Sequence, residues 1–137
     1  VAKQTQDVHT NAMFMMIVAK YIEKYDFDAH IQKCCAHYKV KRDRMLQQIE
    51  TKMSNYVKFT RPEGGLFIWC ELPQNYSGFD FCSYAAPYGV ACVPGTTFDV
   101  AEDKNNNCFR LNFTVPSLEQ IDKGIGIVAD CLKDYLK

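Results

Sequence analysis

The fold is decided at residues 56–72, where the sequence reads YVKFTRPEGGLFIWCEL. Upstream of this stretch, apolar residues recur every three or four positions, as in helices, whereas here they begin to alternate. The alternation predicts two strands, at 56–60 and 66–72, joined by a tight reversal at 61–65, where proline and paired glycines supply the backbone angles. Because the second strand is apolar on both faces, we expect it to be central and covered on both sides.

Two helices are predicted upstream of the hairpin. The first covers residues 11–24, with Thr10 as its N-cap and a methionine-rich apolar stripe that includes Met13 and Met16. Such a stripe is usually part of a core, although it can also form a binding groove. The second helix covers residues 29–54, and its apolar residues recur at helical spacing from Ile31 to Met53.

Downstream of the hairpin, the pattern predicts a short helix at 81–88, a short strand at 90–93, a strand at 108–114 and a last helix. Gly89 closes the short helix, and Ser117 with Gln120 forms a capping box for the last one. Gly124 and Gly126 lie near the apolar stripe of the last helix, which indicates close packing against a neighbouring element. This order of elements predicts a layered domain of the α/β or α+β type.

The composition is that of a globular domain without excess charge. Of the 137 residues 47% are hydrophobic, and 16 Lys and Arg balance 16 Asp and Glu. This composition excludes disorder and gives no basic field for a nucleic-acid partner. The basic group at 39–44 is interrupted by Asp43, which favours a solvated helix face over a nucleic-acid patch. We also expect no membrane contact, because the apolar run at 12–19 is far shorter than the ~20 residues of a spanning helix.

The chain has seven cysteines, an odd number, and most of them lie in apolar runs. They are at positions 34, 35, 70, 82, 92, 108 and 131. We therefore expect buried thiols in a reducing compartment, and hence a cytoplasmic protein. His30, Cys34 and His37 would share one helix face, at a spacing that zinc ligands also use. A structural zinc site needs a fourth ligand, and none is spaced nearby, so we expect a packed helix face and no metal there.

One charged residue interrupts the strand at 108–113, which reads CFRLNF. Phe109, Leu111 and Phe113 alternate toward a core, which leaves Arg110 on the opposite face. The planar guanidinium suits a carboxylate or phosphate held by two parallel hydrogen bonds. The alternation of apolar residues by itself favours the interpretation of Arg110 as an exposed residue on the solvent side of the strand. The alternative is that Arg110 binds a ligand.

Eight motifs occur along the chain in a familiar order. They are Lys3-Gln4, DVHTN at 7–11, Tyr38 with Arg42-Asp43, PEGGLFIW at 62–69, Leu72-Pro73, Gly89-Val90, Pro94-Gly95 with Phe98, and RLNF at 110–113. Together they resemble the C-terminal portion of class I/II pyridoxal-phosphate-dependent aminotransferases of fold type I. The subgroup resembled contains the aminoadipate, kynurenine and aromatic or branched-chain aminotransferases, and the resemblance extends over essentially the whole chain.

The resemblance implies a small C-terminal α/β domain at residues 28–137, with a short, mostly antiparallel sheet flanked by helices. Residues 1–27 would form a linking helix region that joins it to a large domain. In the family, the arginine at the position of Arg110 receives the α-carboxylate of the substrate. The segment of Thr10 and Asn11 would approach the active site of the neighbouring subunit in a homodimer. The substrates would be an amino acid and a 2-oxo acid, and the cofactor pyridoxal 5'-phosphate (PLP).

The family's Schiff-base lysine, its pyridine-nitrogen carboxylate and most of its phosphate ligands lie upstream of the part that this chain resembles. Lys3 lies past the lysine position and lacks its serine-rich context. We therefore expect no catalytic residue and no cofactor anchor in this chain, which alone would have no transaminase activity. Two other functions stay open, because fold does not settle function. One is a different reaction on the same fold, and the other is an effector-sensing aminotransferase-like domain of a winged-helix transcription regulator.

Overall fold

A computed structural model describes residues 11–100 and 106–137. The chain divides into two compact units, one ending at His37 and the other extending from Tyr38 to Lys137. Lys3 and Thr10 lie outside the described residues. None of the helices in the described ranges is long and apolar enough to cross a membrane.

The first unit contains helix α1 (Ala12–Lys24) and the beginning of helix α2 (Phe27–Lys52). The prediction of Thr10 as N-cap was wrong, because the side chain of Asn11 accepts the capping hydrogen bond, from the Phe14 backbone N at 3.3 Å. Helix α2 begins two residues earlier than predicted, since Asp26 Oδ1 accepts a hydrogen bond from the Ala29 backbone N at 2.9 Å. No residue of α1 is buried, so its methionine stripe is an exposed surface in this chain rather than part of a core.

The second unit is built on a four-stranded antiparallel sheet with strand order β1-β2-β4-β3. Its strands are β1 (Lys58–Phe59), β2 (Phe67–Glu71), β3 (Val93–Pro94) and β4 (Cys108–Asn112). The predicted hairpin is confirmed as β1 and β2. Strand β3 begins later than predicted, because only Val93 and Pro94 are in register with β4.

The helices of the second unit share one core with the sheet. Helix α3 (Gly78–Ala85) begins three residues before its predicted start, since Ser77 caps it by accepting a hydrogen bond from the Asp80 backbone N at 3.2 Å. A short 3₁₀ turn, Ala86–Tyr88, follows α3, and Gly89 closes it with a φ of 85°. Helix α4 (Leu118–Tyr135) begins at the predicted capping box. The core contains side chains from α2, β2, α3, β4, α4 and neighbouring residues. The largest of the fully buried ones are Ile49, Met53, Ile68, Cys70, Leu72, Phe81, Phe109, Phe113, Ile121, Val128 and Leu132.

Strand β2 is central, as predicted, but the described residues bury only one of its faces. Ile68 and Cys70 are fully buried, whereas Phe67 is 37% exposed and Trp69 is half-buried. The expectation of cover on both sides was wrong, because the helical core of this unit lies against the face that carries Ile68 and Cys70. We call the other side, which carries Phe67, Trp69 and Arg110, the open face of the sheet.

Two further expectations about packing were wrong. A Cβ added at Gly124 would meet nothing within 4 Å, and one at Gly126 would meet only the flexible Lys52 Nζ, at 3.7 Å, so these glycines do not mark close packing. The expectation of a packed helix face at His30, Cys34 and His37 was also wrong, because burial in α2 is confined to the C-terminal half, at Met45 and Ile49, and both histidines are exposed.

Candidate functional site

Arg110 lies in the middle of the open face. Its strand is paired on both sides, with Trp69 of β2 and Val93 of β3 as its partners in register. The neighbouring Phe109 and Leu111 are buried in the core, as the alternation predicted, and they fix the direction of the Arg110 side chain. A central strand therefore presents a half-buried arginine toward the open face.

The guanidinium of Arg110 is in contact with two aromatic rings. Its Cζ is 3.9 Å from the ring centroid of Phe67 and 4.5 Å from that of Phe98. Both distances are well within the range of a cation–π contact. Trp69 supports the second ring from the side, with its ring centroid 5.8 Å from that of Phe98 in an edge arrangement. Because both rings contact the cation, its N–H edges are the groups left to bind a ligand.

Within residues 11–100 and 106–137, no oxygen accepts a hydrogen bond from the Arg110 guanidinium and no carboxylate pairs with it. The other arginines of the second unit differ in this respect. Arg44 binds the carboxylate of Asp122 through two hydrogen bonds of 2.6 Å each. Arg42 binds Asp43 at 2.8 and 2.6 Å. A guanidinium has five N–H donors, so Arg110 has the capacity to bind a carboxylate bidentately.

The turn that carries Phe98 lies close to the start of β4, because the Gly95 backbone approaches the side chains of Asn106 and Cys108. Phe98 ends a 3₁₀ turn, Gly95–Phe98, that follows β3 directly. A Cβ at Gly95 would collide with the side-chain oxygen of Asn106 and lie 2.9 Å from Cys108 Cβ. The same Asn106 oxygen accepts a hydrogen bond from the Cys108 backbone N at 2.9 Å. Glycine at 95 therefore lets the turn reach β4 and place Phe98 over Arg110.

The two central strands of the sheet carry cysteines, Cys70 on β2 and Cys108 on β4. Burial, with a smaller contribution from Cys108, raises the pKa of the Cys70 thiol to about 12. Burial also raises the pKa of Cys108. Cys70 lies on the covered face, and the raised pKa of Cys108 means that its thiol contributes no thiolate nucleophile to the open face near neutral pH.

The other residues singled out from the sequence lie elsewhere. The Asn11 side chain caps α1, and Thr10 lies outside the described residues. In α2, Cys34 Sγ is 3.6 Å from His30 Nε2, in an exposed contact. No group of three or more His, Cys, Asp or Glu able to hold a metal ion is found in the part of the chain that the structure describes.

The surroundings of Arg110 do not fit the requirements of PLP. The cofactor needs a lysine amine for its aldehyde and a carboxylate for its pyridine nitrogen. The described side chains in contact with the guanidinium are aromatic instead. Neither of these two groups is among the described side chains in contact with the guanidinium.

No protein-family model matches the chain. Over all 137 residues it is 40% identical to aromatic-amino-acid aminotransferase 1 of Thermococcus litoralis, of which it spans 33%. The kynurenine aminotransferase of Pyrococcus horikoshii, solved in complex with PMP, matches 99% of the chain at 38% identity and a TM-score of 0.90, again over 33% of its own length. An uncharacterized HTH-type transcriptional regulator of Bacillus subtilis, YdfD, is 25% identical over 123 residues, which are 90% of this chain and 25% of that protein.

The chain is the counterpart of the C-terminal third of the fold type I, PLP-dependent aminotransferases. Within that class it is similar to the aromatic, aminoadipate and kynurenine aminotransferases. Its antiparallel sheet with flanking helices matches the small C-terminal domain of those structures, so the predicted family and fold class are confirmed. The chain spans about a third of the length of these relatives.

Proposed function

We propose that this chain is the small domain of an aminotransferase that moves an amino group from an amino acid to a 2-oxo acid, and that Arg110 binds the α-carboxylate. The observation that carries the proposal is a half-buried arginine on a central strand, without an acceptor for its N–H groups among the described residues. An arginine in such a place costs desolvation unless a ligand pairs with it.

A single arginine can serve both directions of this reaction. The amino-acid donor and the 2-oxo-acid acceptor share the carboxylate, whereas their reacting carbons differ. Two parallel hydrogen bonds from the guanidinium fix the carboxylate plane as well as its position. Binding of the carboxylate to Arg110 would hold the reacting carbon in one orientation. Such orientation lowers the activation free energy of the reaction substantially.

We assign residues 28–137 to the small domain and residues 1–27 to a region linking it to a large domain. In the complete protein, that large domain would supply the PLP site, because the residues around Arg110 do not. The cofactor acts as the electron sink for the amino-acid carbon when it is bound. We also propose a cytoplasmic homodimer, in which Thr10 and Asn11 approach the partner's active site. Asn11 would do so from the N-terminus of α1, which its side chain caps.

The proposal is tested by Arg110→Lys in the complete protein. Lysine keeps the charge but loses the planar fork, so the carboxylate is held by fewer and less directional bonds. We expect kcat/KM for the best amino acid to fall, and the fall should correspond to a loss of roughly 2–5 kcal/mol of transition-state binding free energy. The amine that matches it without the carboxylate, such as 2-phenylethylamine for phenylalanine, should be affected far less.

The absorbance of the bound cofactor should be the same in Arg110→Lys and wild type, because Arg110 does not hold PLP. An equal loss for the amino acid and the amine would make Arg110 a structural residue. No loss for either would make it a surface residue. Either result contradicts the proposed role.

The alternative function is effector sensing in a transcription regulator, which the likeness to the HTH-type regulator of Bacillus subtilis favours. The sequence upstream of residue 1 in the complete protein distinguishes the two functions. A directly attached large domain with a Schiff-base lysine supports the enzyme. A winged-helix region, together with binding to duplex DNA in a gel-shift assay, supports the regulator.

A further inference from the structure

We infer that Phe67 and Phe98 are positioning residues that fix the plane of the Arg110 guanidinium for its ligand. The inference rests on the proposed role of Arg110 as carboxylate receptor and adds to it the two rings that orient the cation. Neither ring would touch the reacting atoms, so both would act only through Arg110.

Both rings lie close to the Arg110 guanidinium. The Arg110 Cζ is 3.9 Å from the centroid of Phe67 and 4.5 Å from that of Phe98. Because the rings attract the cation and contact it closely, a rotated guanidinium would lose both contacts or collide with a ring. The rings thus restrict the arginine to few rotamers, with its N–H edge as the binding group.

The two rings come from different elements. On β2, Trp69 is opposite Arg110 and Phe67 is opposite Asn112, so Phe67 is a diagonal neighbour of Arg110 on the same face. Phe98 comes from the 3₁₀ turn after β3 and contacts Trp69 at its edge. A cation held from two elements keeps its orientation when either element shifts slightly.

Orienting the Arg110 guanidinium in advance lowers the entropic cost of binding a ligand. A long arginine side chain normally loses rotamer freedom when it binds a ligand, and this loss weakens affinity. The rings remove that freedom beforehand and also exclude water from the guanidinium, which strengthens its attraction for a carboxylate. Phe67 is 37% exposed and Phe98 is 49% exposed, so neither ring is a pure core residue.

The experiment uses Phe98→Leu and Phe67→Leu, each in the complete protein. Leucine keeps apolar bulk but loses the π-face. We expect kcat/KM for the best amino acid to fall about tenfold in each variant, with little change for the matching amine that lacks a carboxylate. Phe98→Tyr and Phe67→Tyr keep the ring and should stay within about twofold of wild type. The matched control is Phe79→Leu, on α3 and 50% exposed, which should leave both rates unchanged.

A double-variant cycle shows whether the rings act through the arginine. In an Arg110→Gln background there is no cation to orient, so Phe98→Leu should cause no further selective loss for the amino acid. The inference is overturned if Phe98→Leu lowers the rates for amino acid and amine equally, if tyrosine fails to restore the rate, or if the selective loss persists without the arginine. Failure of the proposed function is a separate result, because it appears in Arg110→Lys itself as the absence of carboxylate selectivity.

Discussion

A side chain at Gly78 would collide with the backbone of Cys108, since an ideal Cβ there lies 2.7 Å from the Cys108 carbonyl carbon and 2.9 Å from its nitrogen. Gly78 begins α3, and Cys108 begins β4. The backbone N of Gly78 also donates a hydrogen bond to the Asn106 carbonyl oxygen at 2.9 Å. This contact fixes the helix against the strand that carries Arg110.

We predict that Gly78→Ala destabilises the 137-residue chain by about 3 kcal/mol, because the obstacle is backbone and cannot rotate away. The free energy of unfolding is measured by urea denaturation followed by circular dichroism. Gly124→Ala is the control, since a Cβ there meets open space inside a helix and should stabilise by roughly 1 kcal/mol. If the two variants have the same free energy of unfolding, the result contradicts the close contact between α3 and β4 at Gly78.

The pair of Arg44 and Asp122 makes stability depend on pH. The hydrogen bonds from Arg44 hold the pKa of the Asp122 carboxyl below its ordinary value of 3.8. A lowered folded-state pKa means that the stabilising contribution is complete above pH 3.8 and is lost as pH falls through the lower value. We therefore predict that Asp122→Asn lowers the Tm at neutral pH and that the difference from wild type disappears in strong acid.

Thermal unfolding at a series of pH values measures this difference. The control is Asp130→Asn, an exposed carboxylate on the same helix that forms no ion pair with another described residue. The control should show little difference from wild type at any pH. A Tm difference for Asp122→Asn that persists unchanged in strong acid would show that the ion pair is not its cause.

Helix α1 should be the least protected helix of the isolated chain. Met13, Met16 and Ile17 are each at least half exposed, and no residue of the helix is buried. Few buried contacts mean that its backbone hydrogen bonds open at low free energy. Hydrogen exchange on dilute monomer should show amides 12–24 exchanging much faster than those of β2. Equal protection in the two segments would contradict this expectation.

We predict that the isolated chain folds but forms no specific aldimine with PLP. The described side chains in contact with Arg110 are aromatic, and the proposed function assigns the Schiff-base lysine to a large domain outside this chain. The visible spectrum after mixing with PLP, followed by borohydride reduction and peptide mapping, measures this. Stoichiometric labelling of one lysine would show that the catalytic residue lies in this chain.

The sequence was sufficient to predict which face of strand β4 is buried. Alternation placed Phe109 and Leu111 inward and Arg110 outward, and all three lie as expected. The start of α3 was missed because Gly78, a poor helix former, stands at its first position and hides the capping signal of Ser77. The prediction of close packing at Gly124 was wrong because periodicity indicates which face of a helix is apolar, but it does not indicate how near a neighbouring element lies to that face.

The rings around Arg110 could not be found from local pattern. Phe67 lies on a different strand, and Phe98 lies on a turn whose position depends on the pairing of β3 with β4. Both residues stand in motifs that carried the family resemblance, and this was the only signal available for them. Their common function became visible only when the register of the sheet brought them to one side chain.

The most direct test of the account measures the binding of a carboxylate to Arg110 without any reaction. The probes are 3-phenylpropanoate and its neutral amide, titrated calorimetrically into the complete protein and into its Arg110→Lys variant. We predict that wild type binds the acid at least about tenfold more tightly than the amide, and that most of this preference is lost in the variant. An unchanged preference for the acid in Arg110→Lys would contradict the account, because the carboxylate would then be bound by another group.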